Sequence, residues 1–326
     1  MTTIGITGAA GYIGGAVVRT LRRTVCELRL VDNLTGPVST PPGDLPLCQE
    51  DFASPAALEY LRDCDVVLHL AAISGVMACA QDPAGSRRIN IDGTARLAEF
   101  CHARQIPIAF ASSLSVVGRP DRLPVTETTP AAPTHEYARQ KAEGETIILG
   151  QRLASVPSLA LRMSNLYGTY EVKGRTIGKG NVINLFARQA LSGTLTVNAP
   201  GTQRRDFIHI EDVAAAWASA ARHLADGTVP DRWSRVLVAS GENQSVLGLA
   251  HLVDAARRVL HPEAPPLRID IVPNPRGEVE LLDERFTVDP RASLELLGIE
   301  LRHSLAGDLR ELLRAAETAA GPPRAG

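Results

Sequence analysis

The chain is 326 residues long, above the roughly 100–200 residues of a usual single domain, so two lobes are expected. Hydrophobic residues make up 44% and charged residues 21%, a soluble globular composition with no apolar run near the ~18 residues that a membrane span requires. Lys and Arg (34) nearly balance Asp and Glu (36), and the formal net charge of −2 offers no footprint for nucleic acid or an anionic membrane.

The first half alternates short β-rich runs with helical patterns, the signature of βαβ units around a parallel sheet. Thr3–Thr7 reads as a strand ending in glycines, and Tyr12–Arg23 as a helix with Ile13, Val17 and Leu21 on one face. Leu28–Val31 is a second strand, and Asn33–Pro46 is rich in loop-forming residues. Ser54 followed by Pro55 marks the start of a short helix to about Leu61. Asp65–Leu70 is nearly all apolar, as expected of a strand covered on both faces. One long helix is expected over Pro83–Arg104, then a strand over Ile106–Ser112, a helix over Thr134–Leu153 and a strand over Ser158–Arg162.

Beyond about Asn165 the alternation loosens. Tyr170–Gly180 is charged and glycine-rich and reads as a mobile loop. Helices are expected at Asn181–Leu191, Asp212–Arg222, Val246–Leu260 and Ser304–Ala319, with a strand at Arg235–Ala239 and a proline-rich connection over Pro262–Pro275. The expected division is a first lobe of residues 1–168, rejoined by segments near 206–240, and a second lobe of residues 169–326 whose tail, 320–326, is disordered. Five scattered cysteines without a CxxC pair read as reduced, buried thiols, and the N-terminus lacks the pattern of a secretory signal; both suit a cytoplasmic protein. The eight histidines show no ligand spacing, so no metal is expected; His209 and Trp217 read as packing residues.

The first strand runs into Gly8-Ala9-Ala10-Gly11-Tyr12-Ile13-Gly14 and then into a helix. Glycines there let backbone N–H groups and the helix N-terminus approach a pyrophosphate. Asp32 closes the second strand, 18 residues after Gly14, where its carboxylate can accept from both ribose hydroxyls of NAD. A 2′-phosphate would be repelled there, and the next residue is Asn33 rather than a cation, which disfavours NADP. Asp51-Phe52, after the third strand, can offer a carboxylate to the adenine amino group.

Tyr137 and Lys141 lie four apart on a predicted helix and so share a face. A lysine ammonium beside a phenol favours the phenolate and is expected to draw its pKa from about 10 towards neutrality. Ser113, at the end of a strand, can hydrogen-bond the same substrate oxygen.

Taken together, these residues resemble the extended short-chain dehydrogenase/reductase family, particularly its sugar-nucleotide epimerase and dehydratase branch, over nearly the whole chain. TGAAGYIGG matches the family's TGxxGxxG turn, VDNL its second-strand acidic end and HLAA (His69–Ala72) its fourth-strand motif. NIDGT (Asn90–Thr94), ASSLSVVG (Ala111–Gly118), YARQK, LRMSNLYG (Leu161–Gly168), GTQRRDFIHIEDV (Gly201–Val213) and PRGEV (Pro275–Val279) follow in the family's order. The resemblance implies a doubly wound α/β Rossmann sheet binding NAD, with a smaller C-terminal α/β lobe over the substrate. It implies cofactor contacts from Gly8, Gly11, Tyr12, Ile13, Gly14, Asp32, Asn33, Asp51 and Phe52, and from Leu70, Ala71, Ala72 and Asn90 beyond them. Tyr137 and Lys141 would touch both cofactor and chemistry. Ser113, Tyr137, Asn165, Asn181, Val182, Arg205 and Arg276 would meet a nucleotide sugar, the two arginines because guanidinium groups bind pyrophosphate oxygens bidentately.

Two departures bear on specificity: VVG stands where VYG is usual after the serine, and Asn198 stands where many relatives place an aromatic residue against the base. Ser113-Leu114-Ser115 replaces the Thr-Asp-Glu of 4,6-dehydratases, which disfavours dehydration. The expected activity is a UDP- or TDP-hexose 4-epimerase, UDP-glucose 4-epimerase-like and homodimeric. A keto-sugar-nucleotide reductase or dehydrogenase would use the same residues, whereas a non-catalytic NAD-binding sensor would need no proton-transfer trio.

Overall fold

The computed structural model describes residues 1–36, 44–150, 156–230, 233–274 and 283–320. β1 (Thr2–Thr7) feeds α1 (Tyr12–Leu21), then β2 (Cys26–Val31), the two-residue β3 (Leu47–Cys48), α2 (Pro55–Tyr60) and β4 (Val66–His69). Ser54 caps α2 as expected, its hydroxyl accepting from the Ala57 N–H, with Pro55 in the first turn. Three helical pieces follow, α3 (Val76–Gln81), α4 (Pro83–Arg87) and α5 (Thr94–Ala103), and then β5 (Ile108–Ser113), α6 (Glu136–Gly150) and β6 (Ser158–Met163).

The remaining elements are β7 (Asn165–Tyr167), β8 (Thr169–Val172), β9 (Arg175–Gly178), α7 (Val182–Gln189), β10 (Thr194–Asn198), β11 (Arg204–His209) and α8 (Ile210–Ala225). After them come β12 (Arg235–Val238), β13 (Asn243–Ser245), α9 (Val246–Leu260), β14 (Arg268–Val272), α10 (Arg291–Leu297) and α11 (Leu305–Ala320). Seven strands form one parallel sheet in the order β12-β6-β5-β4-β1-β2-β3. The chain therefore leaves β1 in one direction and returns at β4 to grow in the other, which opens a crevice between their C-terminal ends. The expected doubly wound sheet is present.

One apolar core joins α1 and α8 to one face, with Trp217 fully buried in it; another packs Phe52, Leu97, Phe110 and Ile148 on the opposite face. A third core, including Phe186, Phe207, Leu249 and Leu309, lies among α7, α9, α11 and the small sheets. All five cysteines are free, with Cys64, Cys79 and Cys101 buried and Cys26 and Cys48 only partly so. Among the described residues no helix is long and apolar enough to cross a membrane.

Three expectations are corrected. The single helix over Pro83–Arg104 is broken: the Asp82 side chain caps α4 at the Gly85 N–H (2.8 Å), and Arg88–Gly93 widens into a π-helical turn before α5. Apolar periodicity runs through such a turn without signalling it. The segment Tyr170–Gly180 falls not in a loop but largely in the β8–β9 hairpin, whose Lys173-Gly174 turn has positive φ at both positions, as a tight two-residue hairpin requires. The proline-rich stretch Pro262–Pro275 contains β14, which pairs with β10 along the proline-free run Arg268–Val272. The tail 321–326 lies outside the described residues.

His209 and His303 bring distant segments together: their rings stack at 3.7 Å, His303 Nδ1 lies 3.1 Å from the Asp308 carboxylate, and Tyr167 donates to that carboxylate at 2.7 Å. Among the described residues the scattered histidines thus do produce one His-His-Asp grouping, which only the fold reveals.

The helix α6 is fixed to the sheet by ions. Glu145, 1% exposed, accepts from Arg162 on β6 (2.8 Å), Arg235 on β12 (3.0 Å) and the Ser112 hydroxyl on β5 (2.6 Å). Arg162 thereby supports structure. These bonds hold the Glu145 carboxylate ionised against the cost of burial. Removing one partner from a buried pair leaves an uncompensated charge, at a cost of about 3–5 kcal/mol. Glu145→Ala should lower unfolding free energy by that order in urea titrations; a loss below about 1 kcal/mol would show that the network contributes little.

Candidate active site

The crevice between β1 and β4 is shaped by glycine. Gly8 has φ +72°, and a Cβ there would sit 2.6 Å from the Ala71 nitrogen; a Cβ on Gly14 would sit 2.0 Å from the Gly8 carbonyl oxygen. The turn can pass this close to the end of β4 only without side chains. Gly11 occupies the N-cap of α1 with no side-chain cap, so the first N–H groups of that ten-residue helix remain available to an anion.

Asp32 stands at the rim. Its carboxylate accepts from the Ala10 N–H (2.9 Å) and the Leu34 N–H (2.8 Å), so it fixes the glycine turn while keeping oxygen lone pairs for ligand hydroxyls. Asn33 turns back on Thr35. Asp51 accepts from the Ala53 N–H, and the Phe52 ring is buried 4.7 Å from His69, leaving its backbone as the part that can meet a ligand. Leu70, Ala71 and Ala72 line the end of β4, partly buried. The Tyr12 hydroxyl donates to the carbonyls of Tyr167 (3.1 Å) and Gly168 (2.8 Å), and Ile13 packs beside it. Asn90, placed on the cofactor side by sequence, commits its amide to both backbone groups of Ile73 (2.9 Å each) and to the Gln140 side chain (2.7 Å). The cradle that a Cβ would fill, the uncapped helix start and the rim carboxylate suit a dinucleotide diphosphate and ribose.

Across the crevice, β5 ends at Ser113 and α6 carries Tyr137 and Lys141. Lys141 is only 4% exposed; its ammonium donates to the Ala111 carbonyl at 2.7 Å and lies 4.8 Å above the Phe110 ring and 6.0 Å from the Tyr137 ring centroid. Burial lowers Lys141 to about 8, so the ammonium persists at neutral pH. The phenol of Tyr137 departs from the sequence expectation. Burial pushes it up to about 12, and the interaction with Ser113 recovers only part of that. The ammonium favours a phenolate through its field, but burial of the phenol outweighs this, and the Lys141 ammonium gives up its own proton at a lower pH than the phenol does. The Ser113 hydroxyl is oriented by Ser115, which donates to it from both its N–H (3.2 Å) and its hydroxyl (2.9 Å).

The other expected contacts surround this pair. Asn165 donates to the Asp206 carbonyl (3.0 Å). Asn181 caps α7 through the Asn184 N–H (2.9 Å), while its amide nitrogen is buried with no hydrogen-bond partner among the described residues; Val182 opens the helix. Arg205 donates to the Arg204 carbonyl (2.8 Å), Asp206 is held by the Ser240 and Gly241 N–H groups, and Glu211 is bridged by Arg19. Arg276 lies outside the described residues.

Sequence reading missed Gln140, which braces α6 against Ser86 and Asn90, and Lys179, which reaches Ser74 at 3.3 Å. The spacing Tyr137–Gln140–Lys141 carried a signal for the first; Lys179 was hidden in what read as loop.

A family model described as NAD dependent epimerase/dehydratase family matches residues 4–234. The chain is 30% identical over 241 residues to UDP-glucose 4-epimerase of Azospirillum brasilense, covering 68% of this chain and 69% of that protein. It is 26% identical over 309 residues to UDP-N-acetyl-alpha-D-glucosaminuronate decarboxylase of Bacillus cytotoxicus, covering 89% and 93%. The fold matches that of UDP-glucuronic acid 4-epimerase from Bacillus cereus, solved with UDP-glucuronic acid and NAD, with a TM-score of 0.80 at 22% identity, covering 98% and 100%.

Gly14→Ala should weaken NAD binding by about tenfold or more, about 1.4 kcal/mol, in calorimetric titration. Binding within twofold of wild type would show that the turn does not hold the diphosphate.

Proposed function

The chain belongs to the NAD-dependent epimerase/dehydratase family, and from that footing we propose that it is a sugar-nucleotide 4-epimerase acting on a UDP- or TDP-hexose. The observation that carries the reading is the gathering of Ser113, Tyr137 and a desolvated Lys141 across the crevice from a glycine turn that admits a dinucleotide. Bound NAD would supply the acceptor and later the donor of hydride at sugar C4. Tyr137 takes the proton of the sugar 4-hydroxyl and afterwards returns it to the 4-keto sugar. Ser113, aligned by Ser115, holds that oxygen; Lys141 favours the charged state of the phenol and meets the nicotinamide ribose.

Arg205, Arg276, Asn181 and Val182 anchor the nucleotide diphosphate, and Asn165 faces the sugar, so that the hexose can turn while its nucleotide stays fixed. Asp32 suits a resident NAD. Ser115 and buried Leu114, in place of an acid/base pair, support epimerisation over 4,6-dehydration. On this reading residues 1–168, with segments near 206–240, form the cofactor lobe and 169–326 mainly the substrate lobe. The protein works in the cytoplasm as a homodimer joined through the helices around Pro83–Arg104 and Thr134–Leu153.

Incubated with UDP- and TDP-hexoses, the NAD-loaded protein should interconvert 4-epimers without net reduced cofactor. Stoichiometric NADH turnover would instead mark a reductase. Tyr137→Phe should cut kcat by about 10²–10⁴ while NAD affinity holds; a variant with half the wild-type rate contradicts the mechanism.

A further inference from the structure

Lys179 follows the β8–β9 hairpin directly and precedes the cap of α7 by two residues. Its ammonium lies 3.3 Å from the hydroxyl of Ser74, in the connection between β4 and α3 that begins with Leu70–Ala72. It is also close enough to Lys141 that its charge helps to lower the pKa of that lysine. No ion pair among the described residues includes Lys179, whereas Glu136, the acid one turn before Gln140, is engaged by Gln140, Arg139 and Arg87. Crowding around the Lys179 ammonium lowers its pKa although the residue as a whole is exposed. Two residues on, the buried amide nitrogen of Asn181 also lacks an acceptor among the described residues. Glycines flank Lys179 on both sides, and neither Gly178 nor Gly180 supplies a competing side chain.

Beside the end of β4 this segment therefore places an ammonium that has no carboxylate partner among the described residues, next to a serine hydroxyl that can accept or donate. A site that gathers positive charge and a hydroxyl within the field of the buried Lys141 ammonium is complementary to an anion. We propose that Lys179, with Ser74, reads an anionic oxygen of the substrate beside the reacting hexose. That oxygen belongs either to the sugar-linked phosphate or to a carboxylate on the sugar itself. The assignment rests on the nucleotide-sugar reading above and extends it to the part of the substrate next to the chemistry. Lys179 meets its ligand from the α7 side, and its charge, rather than its length alone, sets the preference.

The test is calorimetric titration of NAD-loaded wild type, Lys179→Met and Lys179→Arg with UDP- and TDP-hexose and UDP-hexuronate, with 4-epimerisation of each followed in parallel. Lys179→Met should lose about tenfold or more in affinity while Lys179→Arg restores most of it and NAD binding is unchanged. Equal loss for hexose and hexuronate assigns the phosphate; loss confined to the hexuronate assigns the sugar carboxylate. Affinity within twofold of wild type for every ligand, or no binding of any of them by wild type, overturns the proposal. If wild type binds but epimerises nothing, the epimerase reading falls while the affinity difference between variants still decides the role of Lys179.

Discussion

The ammonium of Lys141 is shielded from water and held by one carbonyl, that of Ala111, between the Phe110 ring and the Tyr137 phenol. A buried cation with a single hydrogen bond among the described residues is unfavourable unless its surroundings fix it in place, and much of the molecule does so. β5 supplies the carbonyl and the aromatic ring. α6 supplies the lysine, and the Glu145 cluster ties α6 to β5, β6 and β12. Gln140, adjacent to Lys141, links the same helix to Ser86 and Asn90 and through Asn90 to Ile73 at the end of β4. The position of one charged group is thus set by strands on both sides of it.

A second set of bonds joins the cofactor turn to the segments that cover the crevice. Tyr12, first residue of α1, donates to the carbonyls of Tyr167 and Gly168, and Tyr170 on β8 donates back to the Tyr12 carbonyl at 2.9 Å. The Tyr170 ring stacks on Tyr12 at 6.0 Å. Its hydroxyl lies 2.5 Å from where a Cβ on Gly15 would be, so that glycine is what allows the approach. The glycine turn is therefore bonded to the hairpin whose second strand runs into Lys179.

How much of this could be read from the chain depends on how local each cause is. The glycine turn, Asp32 and the Tyr137/Lys141 pair are short-range patterns in which spacing fixes geometry, and the parallel sheet followed from its apolar strands. The break at Asp82–Pro83 and the π turn at Arg88–Gly93 escaped because apolar residues keep a helical rhythm across them. The hairpin over Thr169–Gly178 escaped because its strands are only four residues each, too short for an apolar alternation to show. The raised phenol of Tyr137 could not be anticipated from its lysine neighbour, since burial is contributed by residues far apart in sequence. The same holds for the His209–His303 stack, formed by residues nearly a hundred positions apart.

The ligand-free phenol is protonated at neutral pH, so the charge of Lys141 must matter when the crevice is filled and the phenol gives up its proton. The most direct measurement is the pH dependence of kcat/KM for 4-epimerisation by NAD-loaded wild type and Lys141→Met. If Lys141 favours the phenolate, the midpoint of the limb that rises with pH should move up by about one pH unit or more in the variant. A midpoint that stays in place would contradict the account, because the proton transfer would then be indifferent to the one cation buried beside it.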